Sequence, residues 1–386
     1  MKFYLLMVGI FCLPLCAMTH FSNEEIVLMQ NIYHGNNSDL SKKEVVRRLI
    51  EDQYLLAQAK ILQPKLLKRQ SKVGFDTNYH KRRYLLTLFK PFLNSKFVVK
   101  QVDSISKKKL QEILGTYPIN GRLSKNQKIK LKSIKLISNK LINLTLFEIY
   151  QSLSMQNRFK LHQGDESILL QEVNFRYAFR QISEYIKPIL THKNISFRAL
   201  ENIALAEILR SPMQNYFGIN QTMHSESIML VHYEKMITEQ QISDFYKDNI
   251  KNFKYLSHVK SKAVYFDTHD KAQKFYISVN NAGWNKTVKN AALNDIFRKY
   301  HNRLSRKLNS NNWAIQTAFN YPENKISPPI RSPKGHWLVL SNGNKIYELY
   351  ELNTTTVKYQ AKKHIAKLLA KKNYYSGFNK WLKSQN

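Results

Sequence analysis

The chain is poor in cysteine, glycine and acidic side chains, and each shortage excludes something. Of 386 residues only 2 are cysteines, Cys12 and Cys16, and both lie in the leading apolar stretch. The chain beyond that stretch therefore has no thiol for a disulfide, a thiolate nucleophile or a thiolate-held metal. Only 11 glycines are present, and no phosphate-cradling loop, dinucleotide fingerprint or nucleophile elbow can be found among them. The histidines, among them His162, His192, His224 and His232, show no paired spacing suited to a metal and read as surface or internally satisfied residues. Asp and Glu number 27 against 61 Lys and Arg, a net charge of +34. Such an excess invites a polyanionic partner such as nucleic acid, anionic lipid or an acidic envelope polymer. The lysines are spread along the chain, however, so a generally solvated basic surface is the simpler reading for most of them.

What is present argues for a folded protein. Hydrophobic residues make up 43% of the chain, with 22 Tyr and 20 Phe, far too many large side chains for a disordered one. The length allows two domains with separate cores. At the N-terminus, Lys2 precedes the apolar run Phe3–Cys16, with Pro14 inside it and Ala17 after it. That order is the pattern of a secretory signal, too short to span a bilayer. The bulky Leu15 directly before Cys16 argues against a lipoprotein signal. A periplasmic or secreted location follows as an expectation, with no membrane span in the mature chain.

Helix signals dominate the first 250 residues. Asn23 to Ile32 is a short amphipathic stretch, and Ser41 with Glu44 forms a capping box opening a helix that Pro64 closes. Tyr84, Leu85, Leu88 and Phe89 begin another helix, ended or bent at Pro91. Ser124 is expected to cap one long helix through Leu153, carrying a comb of Lys128, Lys130, Lys132, Lys135 and Lys140. That comb reads as a solvated face ahead of a binding stripe. Asn174–Ile189 and Ala199–Leu209 suggest two more helices, with breaks at Pro212 and Gly218.

The most telling stretch is Thr238 to Trp284. Thr238 and Gln241 form a capping box over Ile242, Phe245 and Tyr246, and Val259–Phe266 reads as a strand with Val259, Ala263 and Tyr265 on one side. Thr268 caps a helix on Ala272, Phe275, Tyr276 and Val279, which Gly283 ends. Beyond it, residues 291–308 have helical spacing through Leu293, Ile296, Phe297, Tyr300 and Leu304, and Trp313–Phe319 forms a shorter helix. Trp337–Leu340 and Ile346–Leu352 read as strands joined by a turn at Ser341–Asn344. The tail Val357–Leu382 is a basic helix whose apolar stripe requires a packing partner.

The segments "FYKDNIKNF", "AGW" and "KISPPIRSPKGHWLVL" resemble the entry and closing regions of parvulin-type peptidyl-prolyl isomerase domains. The early helix "LIEDQYLL" is similar to one in export foldases of the SurA and PrsA kind. The resemblance implies an α+β fold, a mostly helical SurA-like chaperone domain with a small parvulin-like α/β domain. It divides the chain into a signal peptide at 1–17, a helical domain at 18–253, a parvulin-like domain at 254–352, and a C-terminal helix at 353–386 that packs on the helical domain. It also implies binding of unfolded or extended polypeptide with no cofactor. Several family features are missing. Lys262 falls near the place of the first strand histidine, and His336 stands one residue from the place of the second, where Trp337 lies. No cysteine or pocket methionine is available, the glycine-rich loop is lacking between Gly283 and Trp313, and the pocket phenylalanine falls near Ala314 or Ile315. A one-residue offset in a strand turns His336, the one candidate catalytic residue, to the opposite face. The expectation is a degenerate isomerase whose groove, lined by Tyr265, Trp313, Phe319 and Trp337, still accepts peptide; taken singly, each of these reads first as a core residue. The competing expectation is a basic envelope protein binding polyanions. Peripheral contact with anionic envelope surfaces fits either reading, and nucleic acid is disfavoured.

Overall fold

The computed structural model describes residues 21–35, 39–70, 76–94, 97–102, 105–220, 226–307 and 311–385. The expected signal segment and His224 lie outside them. Helices predominate, with small antiparallel sheets, so the chain is α+β. It divides into two compact units, one of residues 1–231 and 369–386, the other of residues 232–368. The division falls ahead of the expected boundary at 253, because the capped helix after Thr238 groups with the sheet that follows it. It also falls within the C-terminal helix, which was expected to belong to the helical domain throughout.

The first unit is helical. It contains α1 (Asn23–Gly35), α2 (Lys42–Leu62), α3 (Thr77–Phe89), α4 (Lys107–Leu114) and α5 (Lys125–Ser133). A hairpin of β1 (Lys135–Ser138) and β2 (Asn143–Thr145) follows, then α6 (Leu146–Ser152), α7 (Met155–His162), α8 (Glu166–His192) and α9 (Phe197–Phe217). The capping boxes Ser41/Glu44 and Ser124/Gln127 are both formed. The long helix expected after Ser124 is instead helix, hairpin and helix. Asn139 explains the break: its side chain accepts from the amides of Leu141 and Ile142 at 2.9 and 3.0 Å. That local turn competes with the helix, and Thr145 then opens α6 with its own capping box to Glu148. The lysine comb is thereby spread over a helix, a strand and a turn. Pro212 lies inside α9 rather than ending it, since the loss of one donor is tolerated where Met213 anchors the turn in the core. Gly218 is the true stop, left-handed at φ 76. A β-carbon there would come within 2.5 Å of Leu230.

Three apolar clusters hold this unit. Leu49, Leu85, Phe89, Ile186 and Leu200 centre the first, and Leu110, Leu131, Ile149 and Leu161 centre a second, with α8 lining both. In the third, Tyr54 of α2 is ringed by Phe217, Tyr374, Phe378 and Trp381 at 5.4–6.3 Å, so the tail's last turns have the partner their stripe requires. Between α2 and α9 runs a partly buried charge cluster, with Asp52 its fully buried member. Arg210 bonds both Glu51 and Asp52, Arg48 bonds Glu207, and the Tyr374 hydroxyl donates to Glu51 at 2.7 Å.

The second unit contains the end of α10 (Ile228–Met236), then α11 (Glu239–Asp248), β3 (Lys254–Phe266), α12 (His269–Ala282) and α13 (Trp284–Asn290). β4 (Arg303–Ser305), α14 (Trp313–Asn320), β5 (Ile330–Arg331), β6 (Trp337–Leu349) and the start of α15 (Thr355–Lys383) complete it. The sheet order is β4-β3-β6-β5, antiparallel throughout. Two expectations fail here. Of the expected helix at 291–308, residues 291–307 instead form turns, a short 3-10 segment and β4, because the Asp295 carboxylate accepts from the Ala263 and Phe297 amides at 3.0 Å. That contact ties the chain alongside β3. The turn expected at Ser341–Asn344 is instead the middle of one long strand. Buried Asn342 donates from Nδ2 to the carbonyls of Ala318 and Tyr321 at 2.7 and 2.9 Å, a tertiary use that outweighs the local turn preference of Asn-Gly. The real hairpin turn is Ser332–His336, where the Gly335 amide bonds the Ser332 carbonyl at 3.0 Å and φ is 87.

Two outcomes follow for stability. Three carboxylates (Glu51, Asp52, Glu207) face two guanidiniums in the α2–α9 cluster, with the phenols of Tyr33, Tyr84 and Tyr374 around them. Burial, opposed by Arg210 and reinforced by Glu207, therefore pushes the Asp52 carboxyl well above the usual carboxylate range. The folded state holds this proton more tightly than the unfolded chain does. Its contribution is complete below the unfolded value of about 4 and is lost as pH rises towards neutrality. Urea unfolding at about pH 5 and about pH 7.5 should show this downward slope, and Asp52→Asn should flatten it. In the second unit, Asn342→Ala should cost about 1–3 kcal/mol in the same assay by stranding two buried carbonyls.

Candidate peptide-binding site

The register of β3 against β6 fixes which side chains share a face. Ala263 pairs with Leu340 and Tyr265 with Leu338, while Val264 pairs with Val339 and Phe266 with Trp337. Directly paired residues of an antiparallel ladder project to the same side, and successive residues alternate. One face therefore carries Ala263, Tyr265, Leu338 and Leu340. It packs on Ala314, Ile315 and Ala318 of α14 and on Phe297 and Leu304, with Trp313, Phe319 and Tyr321 partly buried at its margin. The other face carries Val264, Phe266, Trp337 and Val339 and packs on Ala272, Phe275 and Val279 of α12 and on Trp284.

The sequence-derived site residues divide between these faces. Tyr265, Trp313 and Phe319 lie on the α14 side. Trp337 lies on the α12 side, its ring 4.7 Å from that of His269, so the four aromatics do not line one groove. Lys262 also falls on the α12 side, where its Nζ donates to Asn285 at 2.7 Å. The β3 residue turned to the α14 face at this point is Ala263, its neighbour, and it has no proton to give or take.

His336, expected to be turned away, stands beside Tyr265 with ring centres 6.2 Å apart. Its Nδ1 lies 3.7 Å from Asp267, and both side chains are more than half exposed. Gly335 and the turn it closes deliver His336 to that side, two residues before Leu338 on the same face. Burial raises the Tyr265 phenol above its ordinary value, so it stays a neutral hydrogen-bond donor. Sequence reading passed over Asp267, although a lone carboxylate directly after a strand in so basic a chain was a visible signal. It also passed over Ser261 and Asn342, buried polar residues directly paired on the α14 face.

This face offers aromatic and aliphatic surface at its rim and a single imidazole beside a carboxylate. It offers no second imidazole, thiol or methionine. Among the described residues no group of three or more His, Cys, Asp or Glu could hold a metal, and no helix is long and apolar enough to cross a membrane. His162, read above as a surface or internally satisfied residue, is buried and satisfied internally. Its Nε2 meets the Tyr150 hydroxyl at 3.0 Å and its Nδ1 the Gly115 carbonyl at 2.8 Å, and burial lowers its basicity.

No family model and no curated protein matches the sequence. Solved structures similar to the chain are PrsA foldases and SurA-like chaperones. One is a peptidylprolyl isomerase PrsA of Bacillus anthracis, at 14% identity over 51% of this chain and 81% of that one, with a TM-score of 0.21. A foldase PrsA of Streptococcus pneumoniae matches at 14% identity over 65% and 93%, TM-score 0.21. A SurA-like chaperone of Campylobacter jejuni matches at 13% identity over 65% and 98%, TM-score 0.27.

Trp337→Ala, which removes a partly buried ring packed on the α12 cluster, should cost about 2–3 kcal/mol in urea unfolding. Tyr265→Ala, which removes a ring left 38% exposed, should cost less, about 1 kcal/mol.

Proposed function

We propose that the chain is an exported, cofactor-independent chaperone of the parvulin and SurA type, which holds unfolded or extended polypeptide while its isomerase activity is weak or lost. One observation carries the reading: the α14 face of the sheet keeps an aromatic rim but lacks a converging set of polar groups. Twisting a prolyl amide through its barrier of ~18–20 kcal/mol requires groups that favour the twisted form over the planar one. Here Ala263, Leu338 and Leu340 occupy the middle of the face, and they separate His336, Asp267 and the Tyr265 hydroxyl at one end from the buried Ser261 and Asn342 at the other. Apolar contact with a bound chain survives that loss, because burial of apolar area is non-directional and needs no reacting group. Tyr265, Trp313 and Phe319 are the side chains proposed to make it, with the Tyr265 and His336 polar tips available to a peptide backbone.

The proposed division of labour gives the helical unit the larger part of client contact and the sheet unit a secondary groove. The scarcity of acidic residues fits capture of acidic segments in extended clients. Export rests on the leading segment Lys2–Ala17 of the sequence.

Two assays test the proposal together. Light scattering of a chemically unfolded protein diluted into buffer should fall in proportion to added chain, without ATP and also at high salt. Isomerisation of a proline-containing peptide should proceed close to its uncatalysed rate, with His336→Ala making no further difference. Scattering unaffected by stoichiometric chain would sink the chaperone reading, whereas a full catalytic rate would restore the enzyme.

A further inference from the structure

The second apolar cluster of the first unit organises a separate basic lobe. Residues 101–163 carry twelve Lys or Arg and only three Asp or Glu. One of those acids, Glu148, is bound into the cap of α6. No α5 lysine is in an ion pair among the described residues. Charge alone would mark only a solvated surface. Two apolar side chains set into it say more.

The first is on α5. Leu131 is buried at 1% exposure and fixes the inward direction of the helix. At about 100° per residue, Ile129 lies about 160° from it, on the outward crest. It is 67% exposed. Lys125 and Lys132 lie to one side of that crest and Lys130 to the other, all three exposed. The second is Ile119, in the loop just ahead of Ser124. The Gly121 amide closes a tight turn on the Pro118 carbonyl at 2.8 Å, and the Arg122 amide bonds the Asn120 side chain at 2.9 Å. This ordered turn holds Ile119 wholly in solvent. A single exposed aliphatic is unremarkable. Here one is held out by a hydrogen-bonded turn and another crowns a helix whose lysines make no ion pair among the described residues, Lys130 reaching the Glu112 carbonyl and Lys132 lying over the Phe147 ring.

We propose that this lobe, through Ile119, Ile129, Lys125, Lys128, Lys130 and Lys132, docks peripherally on an anionic phospholipid surface. The cations meet lipid phosphates and the two isoleucines enter the boundary between headgroups and acyl chains. That is the arrangement by which amphipathic elements lie on a membrane without crossing it. Nucleic acid suits the lysines equally, but single-strand binders add aromatic platforms for stacking, and aliphatic tips gain nothing against a phosphate backbone. The docking uses no residue of the sheet face, and its vesicle readout is separate from the scattering and isomerisation assays of the chaperone reading.

The test is co-sedimentation of the full chain with vesicles of phosphatidylcholine alone and of phosphatidylcholine with roughly one-third phosphatidylglycerol. Neutral vesicles read the contribution of the apolar N-terminus, and the excess on anionic vesicles reads the lobe. That excess should be at least about tenfold and should fall with salt. Lysines near such a surface are each worth about fivefold. The triple variant Lys125→Gln, Lys128→Gln, Lys130→Gln should therefore remove it. Ile119→Ser with Ile129→Ser should lower anionic partition about tenfold at unchanged charge, and leave binding to a DNA duplex untouched. All five positions are exposed, and an unchanged thermal transition confirms folding. Equal binding to neutral and anionic vesicles overturns the proposal. So does anionic binding indifferent to the isoleucine changes, which would assign the lobe to polyanions at large.

Discussion

The antiparallel pairing of β3 with β6 is the constraint on which the second unit depends. It joins segments about eighty residues apart in sequence and runs from Lys254–Leu349 to Phe266–Trp337, with two register shifts on the way. Once this register is set, every side chain of both strands is assigned to the α12 layer or the α14 layer. The chemistry of the candidate site is a by-product of that assignment. Ala263 rather than Lys262 faces α14, and His336 rather than Trp337 stands next to Tyr265. A one-residue slip of either strand would exchange them. The difference between an isomerase-like face and an apolar one thus rests on register as much as on residue type.

The first unit depends on a different kind of bond. With no cysteine beyond Cys16, nothing covalent ties the C-terminal turns to α2 and α9. The aromatic ring around Tyr54 and the bond from Tyr374 to Glu51 take that role. Arg210 is the hub: it joins two adjacent carboxylates of α2, one of which Tyr374 also engages. A partly buried charge cluster of this kind is a weak source of net stability, but removing one partner leaves the opposite charge poorly solvated, so the pairing favours this alignment of α2 with α9.

Much of the fold was legible in the sequence wherever the signal was local. The capping boxes at Ser41, Ser124 and Thr238 form as the residue types require, as do the caps at Thr268 and the stop at Gly283. The failures share one cause, long-range contacts that reassign locally ambiguous residues. Asn342-Gly343 reads as a turn until Asn342 is seen to satisfy two buried carbonyls. Residues 291–308 read as a helix until Asp295 binds the edge of β3. Asp52 could have been noticed as a charge set between Leu49 and Leu55 on a buried face, a breach of binary pattern that calls for a partner. The partner, Arg210, is too distant for pattern to find. Of the candidate site, the sequence supplied Tyr265, Trp313, Phe319 and His336. It could not supply the face each one occupies, because that needs the exact pairing of two strands.

The sheet's margins have a consequence of their own. β4 and β5 have three and two residues, and most of the remaining backbone edge is already engaged. Along β3, Ser261 bonds Asn302, Ala263 bonds Asp295 and Ile296, and Ser257 bonds Arg306. Along β6, Leu340 bonds Ser327, Asn342 bonds Lys325, and Lys345 bonds Glu323. A protein proposed to spend its time among unfolded chains meets an endless supply of strand-forming segments. Any open edge would invite them to add on and stay. With its borders filled by its own loops, this sheet can present side chains to a client without becoming a template for it, so that contact stays reversible and the holder is not consumed by what it holds.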